Sequence, residues 1–121
     1  MVFWRKSRER RARLSAVADR VGARTGTVLL DAFSGGGANG PLCLGVITLR
    51  TGDSGEVLRA QIDAVVAAGY APPGHLRADE CAFVDNPGLP MLTISTYAAG
   101  KVIPQHGEVP SGQTGVVVSL A

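Results

Sequence analysis

The clearest structural signal in the chain is the stretch from residue 53 to residue 69, DSGEVLRAQIDAVVAAG. Asp53 suits a helix N-cap, and Glu56 follows three residues later, as in a capping box. Four aliphatic residues then recur at the spacing of one helix face: Leu58, Ile62, Val65 and Val66. Gly69 stands where a helix commonly ends, and two prolines follow shortly after it. The stretch therefore predicts an amphipathic helix whose aliphatic face is buried against a core.

Two apolar segments precede this helix, residues 26–33 and 42–50. Between them, residues 34–41 hold four glycines, which predicts a hairpin with a long, mobile tip. The tip formally matches GxGxxG, but a dinucleotide site needs a helix directly after its glycines. Here Pro41 opens a segment with strand character, so we interpret the glycines as a hairpin tip and not as a phosphate site.

The second half of the chain, residues 74–121, is punctuated by glycine and proline. Its apolar or alternating segments predict short strands over residues 81–84, 91–97, 101–103 and 115–120. Pro104 and Pro110 favour a loop or sheet edge for the stretch that follows them. The predicted order is α-β-β-α, followed by these short strands. We therefore expect the α+β class: an antiparallel sheet of about four to six strands with one helix packed on a face, plus a basic N-terminal helix.

The N-terminal helix is predicted over residues 5–22 from its Arg, Ala, Glu and Leu content, with Gly22 at its end. Its apolar residues lie in the second half only: Leu14, Val17, Ala18 and Val21. We expect that half alone to pack on a core. The sequence accordingly divides into a basic helical arm, residues 1–24, and a single small α+β domain, residues 25–121.

Charge is distributed unevenly between these two parts. The arm carries eight basic and two acidic residues, a net charge of +6, whereas the domain carries four basic and eight acidic residues, a net charge of −4. Such an asymmetry indicates an anionic partner for the arm. The residues predicted to bind it are Trp4, Arg5, Lys6, Arg8, Arg10, Arg11 and Arg13.

The partner of the arm is predicted to be an anionic membrane surface or an acidic protein, and a nucleic acid is the alternative. Phe3 and Trp4, followed at once by positive charge, favour lipid, because this pattern is typical of the cytoplasmic edge of a membrane. The expected function is that of a non-enzymatic binding or assembly module, located in the cytoplasm or at the periphery of its membrane; a small enzyme is the third alternative, after a nucleic-acid-binding protein. Homo-oligomers and larger assemblies stay open. The Ala-, Arg-, Val- and Gly-rich composition is typical of bacterial or phage proteins.

Signatures of catalysis or metal binding are weak. Cys43 and Cys81 are too few for a disulfide scaffold, and whether they pair is open. The residues with metal-ligand chemistry lack the spacing of known sites and are interpreted as a solvated loop: His75, Asp79, Glu80, Cys81 and His106. Asp31 interrupts an apolar strand, and alternation is expected to send it to solvent rather than into a buried functional site. We therefore predict no catalytic residue, no cofactor and no metal.

Overall fold

The computed structural model describes residues 2–38 and 40–121, and their side chains from Lys6 onward except that of His75. Within these residues, two helices and eight strands follow one another: α1 (Val2–Arg20), β1 (Thr27–Ser34), β2 (Cys43–Thr51), α2 (Ser54–Ala67), β3 (His75–Leu76), β4 (Glu80–Phe83), β5 (Leu92–Tyr97), β6 (Val102–Ile103), β7 (Gly107–Glu108) and β8 (Gln113–Leu120). Neither helix is long and apolar enough to cross a bilayer within the part of the chain described.

The main sheet is antiparallel and has six strands in the order β1-β2-β8-β5-β4-β3, of which β3 is a two-residue edge segment. The predicted α+β class with an antiparallel sheet is confirmed. The predicted final strand is present as β8, and it lies at the centre of the sheet between β2 and β5. The predicted strand over residues 101–103 is present as β6. The prediction lacks β3 and β7, because strands of two residues leave no alternation in a sequence.

Both helices pack on the same face of the sheet. Pairing brings Leu44, Leu120 and Leu92 into one row across the central strands, and Val46, Val118 and Ile94 into the next. These six side chains are completely buried. The core that they form with the helices carries most of the hydrophobic stabilisation, since burial of apolar area drives folding.

Helix α2 begins as predicted, because the Asp53 carboxylate accepts hydrogen bonds from the amides of Gly55 and Glu56. The predicted buried face is only partly right. Leu58 and Val65 are buried, whereas Ile62 and Val66 are half-buried at the flank of the core. The remaining buried positions of α2 are Val57 and Gln61. Gln61 faces the end of α1, where its amide nitrogen donates to the Val21 carbonyl, so the buried face of α2 is wider than the aliphatic stripe.

Helix α1 starts at residue 2 and ends at Arg20, and its second half packs on the sheet. Gly22 ends it in the left-handed conformation, at φ 69°, and the Ala23 amide donates back to the Ala18 carbonyl. This is a Schellman cap, for which glycine is the preferred residue. Leu14, Val17, Ala18 and Val21 share one core with the sheet. The division into an arm and a domain at residue 24 stays a prediction.

The opposite face of the sheet is covered at one end by the two-stranded ribbon β6–β7. Ile103 and Val109 from this ribbon region pack over Ile47. The sheet residue beneath them is Gly115, and a Cβ atom at this position would lie 2.5 Å from the Ile103 side chain. Glycine therefore lets the ribbon approach the sheet closely.

Candidate anionic-surface helix

The residues predicted to bind an anionic surface all lie in the first two-thirds of α1. The side chains of Trp4 and Arg5 are outside the described part of the chain. The five remaining basic side chains are exposed: Lys6, Arg8, Arg10, Arg11 and Arg13. Among the described side chains, none of these five forms an ion pair with an acid. Their charges are therefore available to an external partner.

The end of α1 is fixed to the domain by two side chains from outside the helix. The Gln61 amide nitrogen donates to the Val21 carbonyl over 2.6 Å. The Arg50 guanidinium donates to the carbonyls of Gly22 and Ala23 over 3.3 and 3.2 Å. Burial lowers the pKa of Arg50, although an arginine stays charged at any physiological pH. These bonds satisfy carbonyls that the helix end cannot pair by itself.

A second anchor is built around Arg24, which lies just after α1. Its guanidinium is 2.7 Å from a carboxylate oxygen of Asp31 and 2.7 Å from one of Asp19, and it also donates to the Ser15 carbonyl. The hydrogen bond that Arg24 donates to the Asp31 carboxylate is the main reason why the pKa of Arg24 is raised, and Asp19 adds to it. Asp31 is thus about one-third exposed and structurally paired. It tethers strand β1 to the helix.

The exposed cations of α1 differ in how they are held. The Arg11 guanidinium lies over the Phe33 ring, 5.5 Å from its centroid, a geometry that gives a cation–π contact. Arg13 donates to the Gly88 carbonyl. Lys6, Arg8 and Arg10 have no described partner of either kind. The outermost described charges of the helix are therefore the free ones.

The other candidate sites do not assemble. No group of three or more potential metal ligands comes together among the described residues. Glu80 forms an exposed ion pair with Arg77 at 3.4 Å, and Cys81 is buried, with its pKa raised to about 11 by burial. Both cysteines are free thiols. The glycine-rich tip, in which Asn39 lies outside the described residues, is followed by strand β2 and not by a helix.

The anchoring residues Gln61 and Arg50 were not predicted from the sequence. Gln61 was hidden inside an apolar helix face, and Arg50 ends an apolar strand. A polar residue at such a core-facing position indicates a hydrogen bond to another part of the chain, since a buried amide or guanidinium needs partners. Phe33 and Gly88 could not be found, because their contacts with α1 depend on tertiary structure alone.

Comparison with family models, with curated proteins and with solved structures gives no match for this chain. Function is therefore inferred from the chemistry of α1 and its surroundings.

Proposed function

We propose that the protein is a non-enzymatic binding or assembly module, in which the first half of α1 engages an anionic surface, and that this surface is the face of a membrane. The observation that carries the proposal is a helix anchored at one end and bearing exposed, unpaired cations at the other. Lys6 and Arg10 are four residues apart, a spacing at which like charges destabilise a helix. Such an arrangement is better explained by an external counter-charge than by folding.

The charge distribution determines which part of the molecule would face such a surface. The arm carries a net charge of +6 and the remainder of the chain −4. An anionic surface attracts the first and repels the second. Each basic residue close to a lipid surface contributes on the order of 1 kcal/mol, so several cations together suffice for weak, reversible binding.

Membrane lipid is favoured over other polyanions by the residues that precede the charges. Val2, Phe3 and Trp4 are apolar or aromatic, and such residues partition into the lipid headgroup region. They would add little to phosphate contacts on a duplex. An acidic protein and a nucleic acid are the two competing partners that an experiment must separate.

The test is charge reversal of Lys6, Arg8 and Arg10 to Glu, measured by co-sedimentation with vesicles rich in phosphatidylglycerol. The matched control reverses three exposed cations elsewhere, Arg59, Arg77 and Lys101. The arm variant should bind at least about a hundredfold more weakly, since about 3 kcal/mol of attraction is lost. Its melting temperature should stay close to that of the wild type. The control variant should retain binding.

Equal loss of binding in both triple variants would show that binding depends on the net charge of the protein alone, and it would refute a specific role of the arm. Duplex DNA and polyglutamate serve as competing ligands at matched salt. One contrary result is a duplex that binds more tightly than the vesicles, with a slope of about −5 for the logarithm of the binding constant against the logarithm of the salt concentration. That result would identify nucleic acid, and not a membrane, as the partner. Tighter binding to polyglutamate would replace it by an acidic protein.

A further inference from the structure

One face of α1 changes character along its length. Leu14, Val17 and Val21 point into the core from this face. Lys6 and Arg10 precede Leu14 by eight and four residues and so lie on the same side of the helix, and Arg13, four residues before Val17, lies at the edge of that side. The side of the helix that is apolar over the core is therefore cationic where α1 approaches the edge of the domain.

A pocket of about 280 Å³ lies beneath this change of character. Arg10 and Arg13 are at its rim, and Leu14, Leu42, Leu89 and Pro41 form much of its wall. Leu14 and Leu42 are buried, so the floor is part of the folded core. The volume is near the lower end of pockets that take small organic ligands, roughly 300–1,000 Å³. It fits a segment of a hydrocarbon chain.

Among the described side chains, no Asp or Glu pairs with Arg10 or Arg13. Arg13 donates one hydrogen bond to the Gly88 carbonyl, and Arg10 has no described hydrogen-bond or ion-pair partner. No acidic residue is among those lining the pocket. An occupant that complements this site is negatively charged at one end and apolar at the other.

The geometry points to this pocket as a binding site for a single anionic phospholipid, with its phosphate between Arg10 and Arg13 and part of an acyl chain against Leu14, Leu42 and Leu89. This inference rests on the proposed membrane function and deepens it. Long-range attraction by Lys6, Arg8 and Arg10 would bring the protein to the surface. The pocket would then capture one lipid from it.

The test uses a short-chain lipid below its micelle-forming concentration, so that no membrane surface is present. Dihexanoyl-phosphatidylglycerol is titrated against the labelled protein, and amide shifts are followed by NMR. The pocket amides of Leu42, Leu89 and Ala121 should shift with saturation, and dihexanoyl-phosphatidylcholine should give a dissociation constant at least tenfold higher. Absence of saturating shifts at the pocket, or equal affinity for both lipids, would overturn the site.

Variants separate the pocket from the surface charge. Leu89→Ser and Arg10→Gln should each raise the dissociation constant for the soluble anionic lipid at least tenfold, whereas Leu76→Ser, at an exposed leucine elsewhere, should not. If Leu89→Ser fails to fold, Ala121→Trp fills the pocket from an exposed position instead. Wild-type affinity in whichever pocket variant folds would refute the site.

The two proposals can fail separately. Binding to anionic vesicles that depends on the arm, without any effect of the soluble lipid on the pocket, would refute the lipid site alone. Saturable binding of the soluble lipid, without arm-dependent vesicle binding, would support the site and refute the surface function.

Discussion

Arg50 lies half-buried at the end of β2, under the turn that follows α1, and donates to two carbonyls of that turn. Replacing it with Met keeps the apolar stem and removes the donors. We expect Arg50→Met to lower the free energy of unfolding by about 1–3 kcal/mol, because carbonyls in the turn lose their partner. Chemical denaturation measures this loss. Arg59→Met, at an exposed position on α2, should change stability by less than about 0.5 kcal/mol. Equal effects of the two substitutions would show that Arg50 does not anchor the helix.

The two cysteines lie in different environments, which makes them a chemical probe of the core. Cys81 is 4% exposed, and its raised pKa, about 11, keeps the thiol protonated at neutral pH. Because thiolates are the reactive form, Cys81 should react with a thiol reagent at pH 8 far more slowly than half-buried Cys43. Single-cysteine variants, Cys43→Ser and Cys81→Ser, separate the two rates. Equal rates in the folded protein would contradict the burial of Cys81.

The same thiol gives stability a pH dependence with a defined sign. Its pKa is raised on folding, so the folded state holds the proton more tightly than the unfolded state. The contribution of the protonated Cys81 thiol to the free energy of unfolding is complete below about pH 9, and it is lost as the pH rises toward about 11. Cys81→Ser should remove this part of the alkaline destabilisation, and Cys43→Ser should leave it in place.

At the scale of the elements, α2 offers a direct test of which of its faces is buried. Leu58 is 5% exposed in the core, whereas Ile62 is only partly buried beside it. Leu58→Ala should therefore cost about 2–5 kcal/mol of unfolding free energy, and Ile62→Ala less than half as much. Urea denaturation of both variants gives the comparison. A larger loss at Ile62 would show that the helix is rotated back toward its aliphatic stripe.

The elements differ in how far the sequence predicts them. Asp53, the aliphatic spacing and Gly69 determine α2 locally, so its limits could be read within two residues. Burial of Gln61 is accompanied by a hydrogen bond to the Val21 carbonyl at the end of α1, and residue spacing within α2 contains no information about that neighbour. Of the ribbon β6–β7, β6 was predicted, whereas β7 and its packing over Ile47 were not, because they depend on tertiary contacts. The candidate site was found as a charge cluster, but its anchors, Arg50 and Gln61, act over long sequence distances.

At the scale of the whole molecule, the basic residues are concentrated near one end of the sequence. Six of its twelve basic residues lie within residues 5–13. The opposite end of the helix is fixed by Arg24, Arg50 and Gln61, so the charges are displayed on an anchored element and not on a free tail. Under the proposed function, this geometry would attach the protein to a surface at one end, and the pocket beside Arg10 and Arg13 would then capture a lipid.

Trp4 is the single tryptophan of the chain and precedes the cationic residues, so its fluorescence reports whether this end of the protein meets a membrane. Tryptophan at the lipid interface emits at shorter wavelength and is shielded from aqueous quenchers. The most direct measurement is therefore Trp4 emission and acrylamide quenching during titration with vesicles. Phosphatidylglycerol vesicles should give a blue shift and protection, which high salt and the Lys6, Arg8 and Arg10 reversal abolish, while phosphatidylcholine vesicles give neither. Unchanged Trp4 emission in protein that sediments with anionic vesicles, or an equal shift with neutral vesicles, would contradict the proposed function.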